Sequence, residues 1–260
     1  ASLDGQTSSH TQDSFQVNAS NQEATYTPPE GTAAISIRKL EGGSSVQTML
    51  PGAVFAAYPV MADGTLGEAK TWTTDANGRA TLEFQRNGDK GYETVYCIKE
   101  VSAPAGYIAS NEEWYFYFST DSHEFANDTV AAIVAKLRSD GKNVQQVMNE
   151  TVFQMNVENL PVTCDLRIRK TDMAGNDLSG AVFTLQDAKG NQMPAPVAKT
   201  EDGIAYYVYE GLKSGSYTLT EVQPPVGYRS GPQSSWDITL DAGEETVTVN
   251  WEAGTADEDK

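Results

Sequence analysis

Two lysines in this chain each end an alternating apolar pattern that is typical of a β-strand. The first ends Ile35-Ser-Ile-Arg-Lys39 and the second ends Leu166-Arg-Ile-Arg-Lys170. Side chains two residues apart in a strand share a face, so each lysine points the same way as the apolar residues before it, into the core. Because a buried charge is costly unless it is paired or neutralised, each lysine needs a partner.

Two glutamates repeat the pattern. Glu100 lies in YCIKEVSAPAGY (96–107) and Glu221 in YTLTEVQPPVGY (217–228), each in phase with inward-facing residues. Two matching pairs of inward lysine and glutamate indicate that these residues take part in a chemical reaction. The alternative interpretation is that they are ordinary buried ion pairs.

The repeat also organises the chain into domains. Gly52-Ala-Val-Phe55 recurs at 180–183, and short strand-like runs alternate with Gly, Asn, Asp and Pro turns. This pattern predicts an all-β chain of two tandem antiparallel β-sandwiches. We place the elements at 1–32 (polar N-terminal segment), 33–162 (first sandwich), 163–255 (second sandwich) and 256–260 (acidic tail).

The first copy differs from the second by carrying an insertion at about residues 119–150. Its apolar residues fall at i, i+3, i+4 and i+7, with Asn127 or Asp128 as the N-cap and Gly141 at the exit. We predict one amphipathic helix that packs on the sandwich.

The N-terminal segment contains a second echo. Phe15–Asn21 (FQVNASN) resembles Phe153–Asn159 (FQMNVEN). It is the last strand of a preceding repeat or an added strand on the first domain, and coincidence is the alternative.

Charge and composition exclude several classes of function. A net charge of -18 argues against nucleic acid and anionic membrane partners. We find no apolar run of membrane-spanning length, no signal pattern and no His/Cys/Asp cluster with metal-ligand spacing, so we expect no membrane insertion, metal or cofactor. The two cysteines, Cys97 and Cys164, are either a disulfide or two free thiols.

A third polar residue points inward at the end of the first domain. Phe153, Met155, Val157 and Asn159 alternate, and Pro161 then ends the strand. The first and last strands of a sandwich commonly lie side by side, so Asn159 is expected to meet Lys39 and Glu100.

These residues resemble the B-type (Cna B-type) domain of collagen adhesins and Gram-positive pilins, a prealbumin-like sandwich with an internal Lys–Asn isopeptide bond. The matching features are the strand lysine, the Gly-Ala-x-Phe strand, the glutamate motif that pilins carry as their E-box, and the Asn-x-Pro junction at Asn159-Leu-Pro161. The resemblance covers roughly residues 33–255.

The resemblance implies two bonds. One joins Lys39 to Asn159 with the help of Glu100, and the other joins Lys170 to Asn250 with the help of Glu221. Burial favours the neutral amine, which is a nucleophile, and the protonated carboxyl group, which can polarise the asparagine carbonyl and carry a proton to the departing ammonia. Fixed geometry can supply effective molarities of about 10⁵ M or more. Such a single-turnover self-modification does not make the chain an enzyme.

The second domain departs from the pattern at its acceptor. Val247, Val249 and Trp251 share one strand face, which puts Asn250 on the other. A bulge near the strand end would re-aim Asn250, and without one the second bond does not form.

The function that the resemblance implies is structural. We expect a segment of a cell-surface pilus subunit or an adhesin stalk, extracellular and anchored to the wall of a Gram-positive bacterium. Its expected partners are other pilus subunits or the cell wall through sortase linkage, and a host extracellular-matrix or glycan ligand. Tyr58-Pro-Val60 lacks the lysine of the Tyr-Pro-Lys motif in shaft subunits, and no Leu-Pro-x-Thr-Gly signal is present. Both points favour a minor (basal or tip) pilin or an adhesin stalk.

Two other functions stay open. A ligand-binding adhesin module would use the helical insertion or the aromatic run Trp114–Phe118, whose alternation puts Trp114, Phe116 and Phe118 on one face. An accessory β-sandwich of a secreted hydrolase is the third hypothesis, although no paired carboxylates mark a cleft.

Overall fold

The computed structural model describes residues 15–18, 23–44, 46–88, 91–231 and 233–250, and for 15–18, 23–25, 249 and 250 it describes the backbone only. Contacts divide the chain into two compact units, Ala1–Leu160 and Pro161–Lys260. Each unit is described by itself.

The first unit is built from strands and one helix. In its described part these are β1 (Phe15–Asn18), β2 (Glu23–Tyr26), β3 (Thr32–Glu41), β4 (Val54–Val60), β5 (Lys70–Thr73), β6 (Arg79–Gln85), β7 (Val95–Ser102), β8 (Glu113–Ser119), α1 (Asp128–Ser139), β9 (Val144–Met148) and β10 (Val152–Asn159).

Two sheets form the sandwich of this unit, in the orders β10-β3-β6 and β5-β4-β7-β8-β9, while β1 and β2 pair with each other in a separate two-stranded sheet. The inward residues of both sheets are apolar, so their burial supplies the main driving force for folding. The core between the sheets includes Ile35, Ile37, Phe55, Leu82, Ile98, Phe116 and Phe118.

The first and last strands of this sandwich are hydrogen-bonded neighbours. β10 runs parallel to β3, with Val157 opposite Lys39 and Asn159 opposite Glu41. β9 also runs parallel to β8. The two-sandwich fold with a helical insertion is confirmed, but these two parallel pairs depart from the antiparallel pattern. The β8–β9 pair has a physical reason, since the crossover through α1 returns the chain in the same direction.

Helix α1 covers the outer face of the larger sheet. Asn127 is its N-cap, and the Asn127 side chain accepts a hydrogen bond from the Val130 backbone N–H at 3.0 Å. The predicted apolar stripe is the buried face of the helix, and it packs on Cys97, Tyr115 and Tyr117. The packing role predicted for this helix is therefore confirmed.

The second unit is a smaller sandwich. Its described strands are β11 (Thr163–Ile168), β12 (Val182–Asp187), β13 (Val197–Glu201), β14 (Ile204–Lys213), β15 (Gly215–Gln223), β16 (Ser235–Asp241) and β17 (Thr246–Asn250). They form sheets of order β11-β14-β13 and β12-β15-β16-β17 around a core that includes Leu166, Phe183, Leu185, Tyr209, Leu219 and Ile238.

The two units differ at one strand position. β3 has β10 on one side and β6 on the other, whereas β11 pairs with β14 alone and forms the edge of its sheet within the described residues. The last described strand, β17, runs antiparallel to β16 in the opposite sheet. The described part of the second unit therefore contains no counterpart of β10.

Replacing Asn127 with alanine tests the helix cap. The change removes the acceptor for the Val130 N–H, so the free energy of unfolding of the first unit should fall by about 1 kcal/mol. Asn127→Asp keeps a capping oxygen and should stay within a few tenths of a kcal/mol of wild type. Urea denaturation followed by circular dichroism measures both, and equal losses in the two variants would contradict the assigned cap.

Candidate functional site

Lys39 is held in the core by strand β3. Its side chain is 0% exposed, and it continues the inward row of Ile35 and Ile37. The turn beside it fixes the backbone, because the Lys39 N–H donates to the Gly78 carbonyl at 2.8 Å. Gly78 has φ of +66°, and a Cβ there would lie 2.8 Å from the Leu50 nitrogen. Only glycine fits this turn without moving the chain that carries Lys39.

Glu100 reaches the same point from the opposite sheet. Its side chain is fully buried, and its Oε1 lies 3.3 Å from Lys39 Nζ. Its Oε2 accepts a hydrogen bond from the Ser110 backbone N–H at 2.7 Å. A register shift in the β4–β7 ladder at Val54 and Phe55 places Phe55 opposite Glu100. The carboxyl group is thus fixed from two directions between the sheets.

Asn159 completes the cluster from β10. Its Nδ2 donates to Glu100 Oε2 at 2.7 Å, while Lys39 Nζ donates to the Val157 carbonyl of the same strand at 3.3 Å. Asn159 Oδ1 is buried and has no hydrogen-bond partner, whereas Glu100 Oε1 is buried with the Lys39 amine as its contact. The Asn159 oxygen is therefore an acceptor without a donor, and a protonated Glu100 can supply that donor. The structure therefore brings the amine, carboxyl and amide groups together, as the alternation predicts.

Burial changes the acid–base behaviour of Lys39. Loss of hydration lowers the pKa of its amine below the ordinary lysine value, and the opposing attraction of Glu100 is the smaller effect. A lowered pKa increases the fraction of neutral amine at a given pH. The neutral amine is the form that can act as a nucleophile.

The second pair is more open. Lys170 follows β11 and lies 2.9 Å from Glu221 Oε1, and it donates to Glu221 Oε2 at 3.1 Å. The Glu221 side chain is 1% exposed, as predicted, but that of Lys170 is 24% exposed. The prediction that Lys170 points into the core is therefore confirmed only in part. The reason is that no described strand covers the outer edge of β11.

Asn250 lies at the end of β17, where its backbone is opposite Asp237. That strand belongs to the sheet of β12, β15 and β16, whereas β11 lies in the other sheet. The Asn250 side chain and all of Trp251 lie outside the described atoms. The prediction that Val247, Val249 and Trp251 share the strand face opposite to Asn250 is therefore not tested. A bond between Lys170 and Asn250 stays a prediction.

Both cysteines are free thiols in the structure, so the disulfide alternative is not observed. Cys97 is buried under α1 beside Tyr115, and burial raises the pKa of its thiol. Cys164 is half-buried at the start of β11.

The aromatic run on β8 presents no open surface. Phe116 and Phe118 lie in the core between the sheets, and Tyr115 and Tyr117 lie under α1. The exposed aromatic patch required by the ligand-binding hypothesis is absent from this segment of β8.

The backbone partners of the cluster could not be predicted from the sequence. The Ser110 N–H and the Val157 carbonyl contact the site through main-chain atoms, which carry no residue-type signal.

Among the described residues, no three or more His, Cys, Asp or Glu side chains are grouped to hold a metal ion. In the same residues no helix has the length and apolar character needed to cross a membrane.

Removing each glutamate should affect the two units unequally. In an Asn159→Ala chain, which cannot form the Lys39–Asn159 bond that the resemblance implies, Glu100→Ala leaves the fully buried Lys39 without its carboxylate, and we expect a loss of about 3 to 5 kcal/mol in the free energy of unfolding. Glu221→Ala should cost less, because Lys170 already reaches water. Chemical denaturation of the two variants gives the comparison, and a larger loss for Glu221→Ala would contradict the burial difference.

The pKa of Lys39 makes a second prediction. In an Asn159→Ala chain, which keeps the amine and Glu100, the folded-state pKa of Lys39 lies below its unfolded value. The folded state then binds fewer protons between these two values, so the free energy of unfolding should rise with pH in that window. The Asn159→Ala/Lys39→Met chain should lack this rise. Identical pH dependences in the two chains, measured by urea denaturation, would show that Lys39 is not perturbed.

Comparison with known proteins identifies the family. The family model of the SpaA prealbumin-like fold domain matches residues 33–130 and 164–255. Serine-aspartate repeat-containing protein F of Staphylococcus epidermidis is 28% identical over 179 residues, which is 68% of this chain and 10% of that protein's length.

The chain is also similar to solved structures. The TIE protein of Bacillus anthracis has a TM-score of 0.50 and 22% identity, with 81% of this chain and 31% of that chain covered. A C-terminal fragment of the pilus adhesin SpaC from Lactobacillus rhamnosus GG has a TM-score of 0.45 and 20% identity, with 83% and 86% covered. The chain belongs to the family of SpaA prealbumin-like fold domains.

Proposed function

We propose that this chain is a tension-bearing segment of a cell-surface pilus subunit or adhesin stalk, and that an isopeptide bond between Lys39 and Asn159 locks its first unit. One observation carries the proposal. A lysine on the first strand of the sandwich and an asparagine on the last contact one buried carboxyl group.

The bond would form by an acyl transfer that the cluster can complete without a cofactor. The neutral Nζ of Lys39 attacks Cγ of Asn159, and a new C–N bond replaces the bond from Cγ to Nδ2. The Asn159 nitrogen leaves as ammonia and takes the proton that the amine loses. Glu100 is the group through which this proton passes, since its carboxyl group contacts both nitrogens.

Glu100 has a further role in the attack. When it is protonated, it can donate to the Asn159 carbonyl oxygen, which is buried without a donor. That hydrogen bond would stabilise the negative charge that develops on this oxygen as the amine adds. Because all three side chains are held by packed strands, the reaction needs no encounter step.

The position of the bond suits a protein under tension. β3 and β10 are the first and last strands of the sandwich and run parallel as neighbours. Pulling on the chain at both ends of the sandwich draws these two parallel strands past each other, so the hydrogen bonds of the ladder carry the load together and the strands separate when those bonds break. A covalent link between the strands resists that separation. The link also closes a loop of over a hundred residues, a constraint worth on the order of 4 kcal/mol.

The proposal extends to location and assembly. An extracellular Gram-positive surface fits the pilin and adhesin homologues, and attachment to other pilus subunits or to the cell wall by sortase is proposed on the same ground. Tyr58-Pro-Val60 lies in β4, packed against the core under α1, and carries no lysine for linkage. This favours a basal or tip pilin, or an adhesin stalk, over a shaft subunit. Host extracellular-matrix and glycan ligands stay proposals.

The intact mass of the purified chain tests the bond. Wild type should be lighter than its sequence mass by one ammonia if only the first unit reacts, and by two if Lys170 and Asn250 also react with the help of Glu221. In Lys39→Ala the mass deficit should be smaller by one ammonia, after the mass change of the substitution itself is subtracted. Lys170→Ala is the matched control, and it changes the deficit only if the second bond forms.

Glu100→Gln separates catalysis from packing. This variant keeps a hydrogen-bonding side chain of similar size but cannot pass a proton through a carboxyl group, so the ammonia deficit of the first unit should disappear. A full deficit in Glu100→Gln would refute the role of the carboxyl group. A deficit that survives Lys39→Ala would show that Lys39 is not the linked residue.

Single-molecule force spectroscopy tests the mechanical role. When the chain is pulled from both ends, the extension of wild type should lack the length of the segment between Lys39 and Asn159. The Lys39→Ala chain should release that length in an unfolding event. Equal contour lengths for both chains would contradict a mechanical function of the bond.

A further inference from the structure

The second unit has an open groove along the edge of β11. Two adjoining cavities of about 590 and 440 Å³ follow this edge. One wall is β11 with the residues after it, and the other is formed by the ends of β16 and β17. The apolar residues that line the groove are Leu166, Ile168, Phe183, Leu219, Trp236, Ile238 and Val247.

The first unit shows what fills the equivalent place. The two lysine strands align with Ile35 matching Leu166 and Lys39 matching Lys170. In the first unit β10 lies beside that strand, with Phe153 opposite Ile35 and Val157 opposite Lys39. In the second unit this place is empty among the described residues, and Lys170 is partly exposed as a result.

An edge strand next to an apolar groove can bind another strand. The unpaired N–H and C=O groups of the edge offer backbone hydrogen bonds, and the groove offers sites for alternate side chains. The occupant should therefore be extended, with apolar residues at every second position, as β10 is.

We propose that the groove binds strand β1 of a second copy of this chain, aligned parallel to β11. β1 has the sequence Phe-Gln-Val-Asn, and β10 has Phe-Gln-Met-Asn at the matching positions, 153–156. By the register of the first unit, Phe15 would lie opposite Leu166 and Val17 opposite Ile168.

β1 is available for this exchange. Within the described part of its own chain it pairs with β2 alone, in a sheet of two four-residue strands. Isolated two-stranded hairpins are marginally stable in water, so the pairing is replaced at small cost. The contact uses a strand of one copy and a groove of the other, so it joins chains into closed exchanged pairs or into longer chains. This inference goes beyond the proposed function and does not depend on the isopeptide bond.

Sedimentation of the full chain over a range of concentrations tests the proposal with three valine-to-aspartate variants. Moderate salt is needed, because the net charge of -18 repels the copies. Wild type should rise in average mass with concentration. Val17→Asp alters the donor strand, and Val247→Asp alters the groove wall, where Val247 is 50% exposed. Each of these two should sediment as a single chain.

Two controls make the result specific. Val226 is 93% exposed outside the groove, so Val226→Asp should associate as wild type does. A mixture of Val17→Asp and Val247→Asp should form dimers, because one chain keeps the groove and the other keeps the strand. In the same samples the β11 amides should exchange hydrogen several-fold more slowly when the chains associate.

The contrary results are equally clear. A wild-type chain that stays single at every concentration would overturn the proposal. So would association that persists in Val17→Asp, since another segment or surface would then be the contact. The donor test rests on Val17→Asp alone, so it stands even if Val247→Asp fails to fold.

Discussion

The burial of one amine against one carboxyl group is the constraint on which the first unit depends. Lys39 is fully buried, and a charged lysine in that position is stabilised only by a partner in contact with it. Glu100 supplies the contact from the opposite sheet, and Asn159 fills the remaining side of the carboxyl group. The β10–β3 pairing and the turn at Gly78 make sense as the frame that holds these three groups together.

The second unit shows how strongly this arrangement depends on a single strand. It repeats the lysine, the glutamate and their ion pair, with similar contact distances. It lacks a described strand in the place of β10, and its lysine is therefore partly hydrated. The same local motif thus gives a closed site in one unit and an open groove in the other. The difference lies in long-range strand placement and not in the motif.

Alternation along strands was enough to predict much of the site. The two-residue period of the strands predicts that Lys39, Glu100 and Asn159 lie on inward faces, which they do. The spacing of apolar residues in α1 predicts its buried stripe, and the residue type of Asn127 predicts its N-cap. The same reasoning could not predict that β17 pairs with β16, since alternation defines faces but not neighbours. Nor could it predict the exposure of Lys170, which depends on whether a strand lies beside β11, where none of the described residues forms one, and not on local sequence.

Proteolysis followed by fragment sequencing tests the covalent link at Lys39 most directly. If the account is right, wild-type chain yields a branched fragment in which the peptide containing Lys39 is joined to the peptide containing Asn159, with one ammonia lost. The branch point should map to the side chains of these two residues. Recovery of both peptides as separate linear fragments at their full masses would contradict the account. The cluster would then be a buried ion pair beside an asparagine.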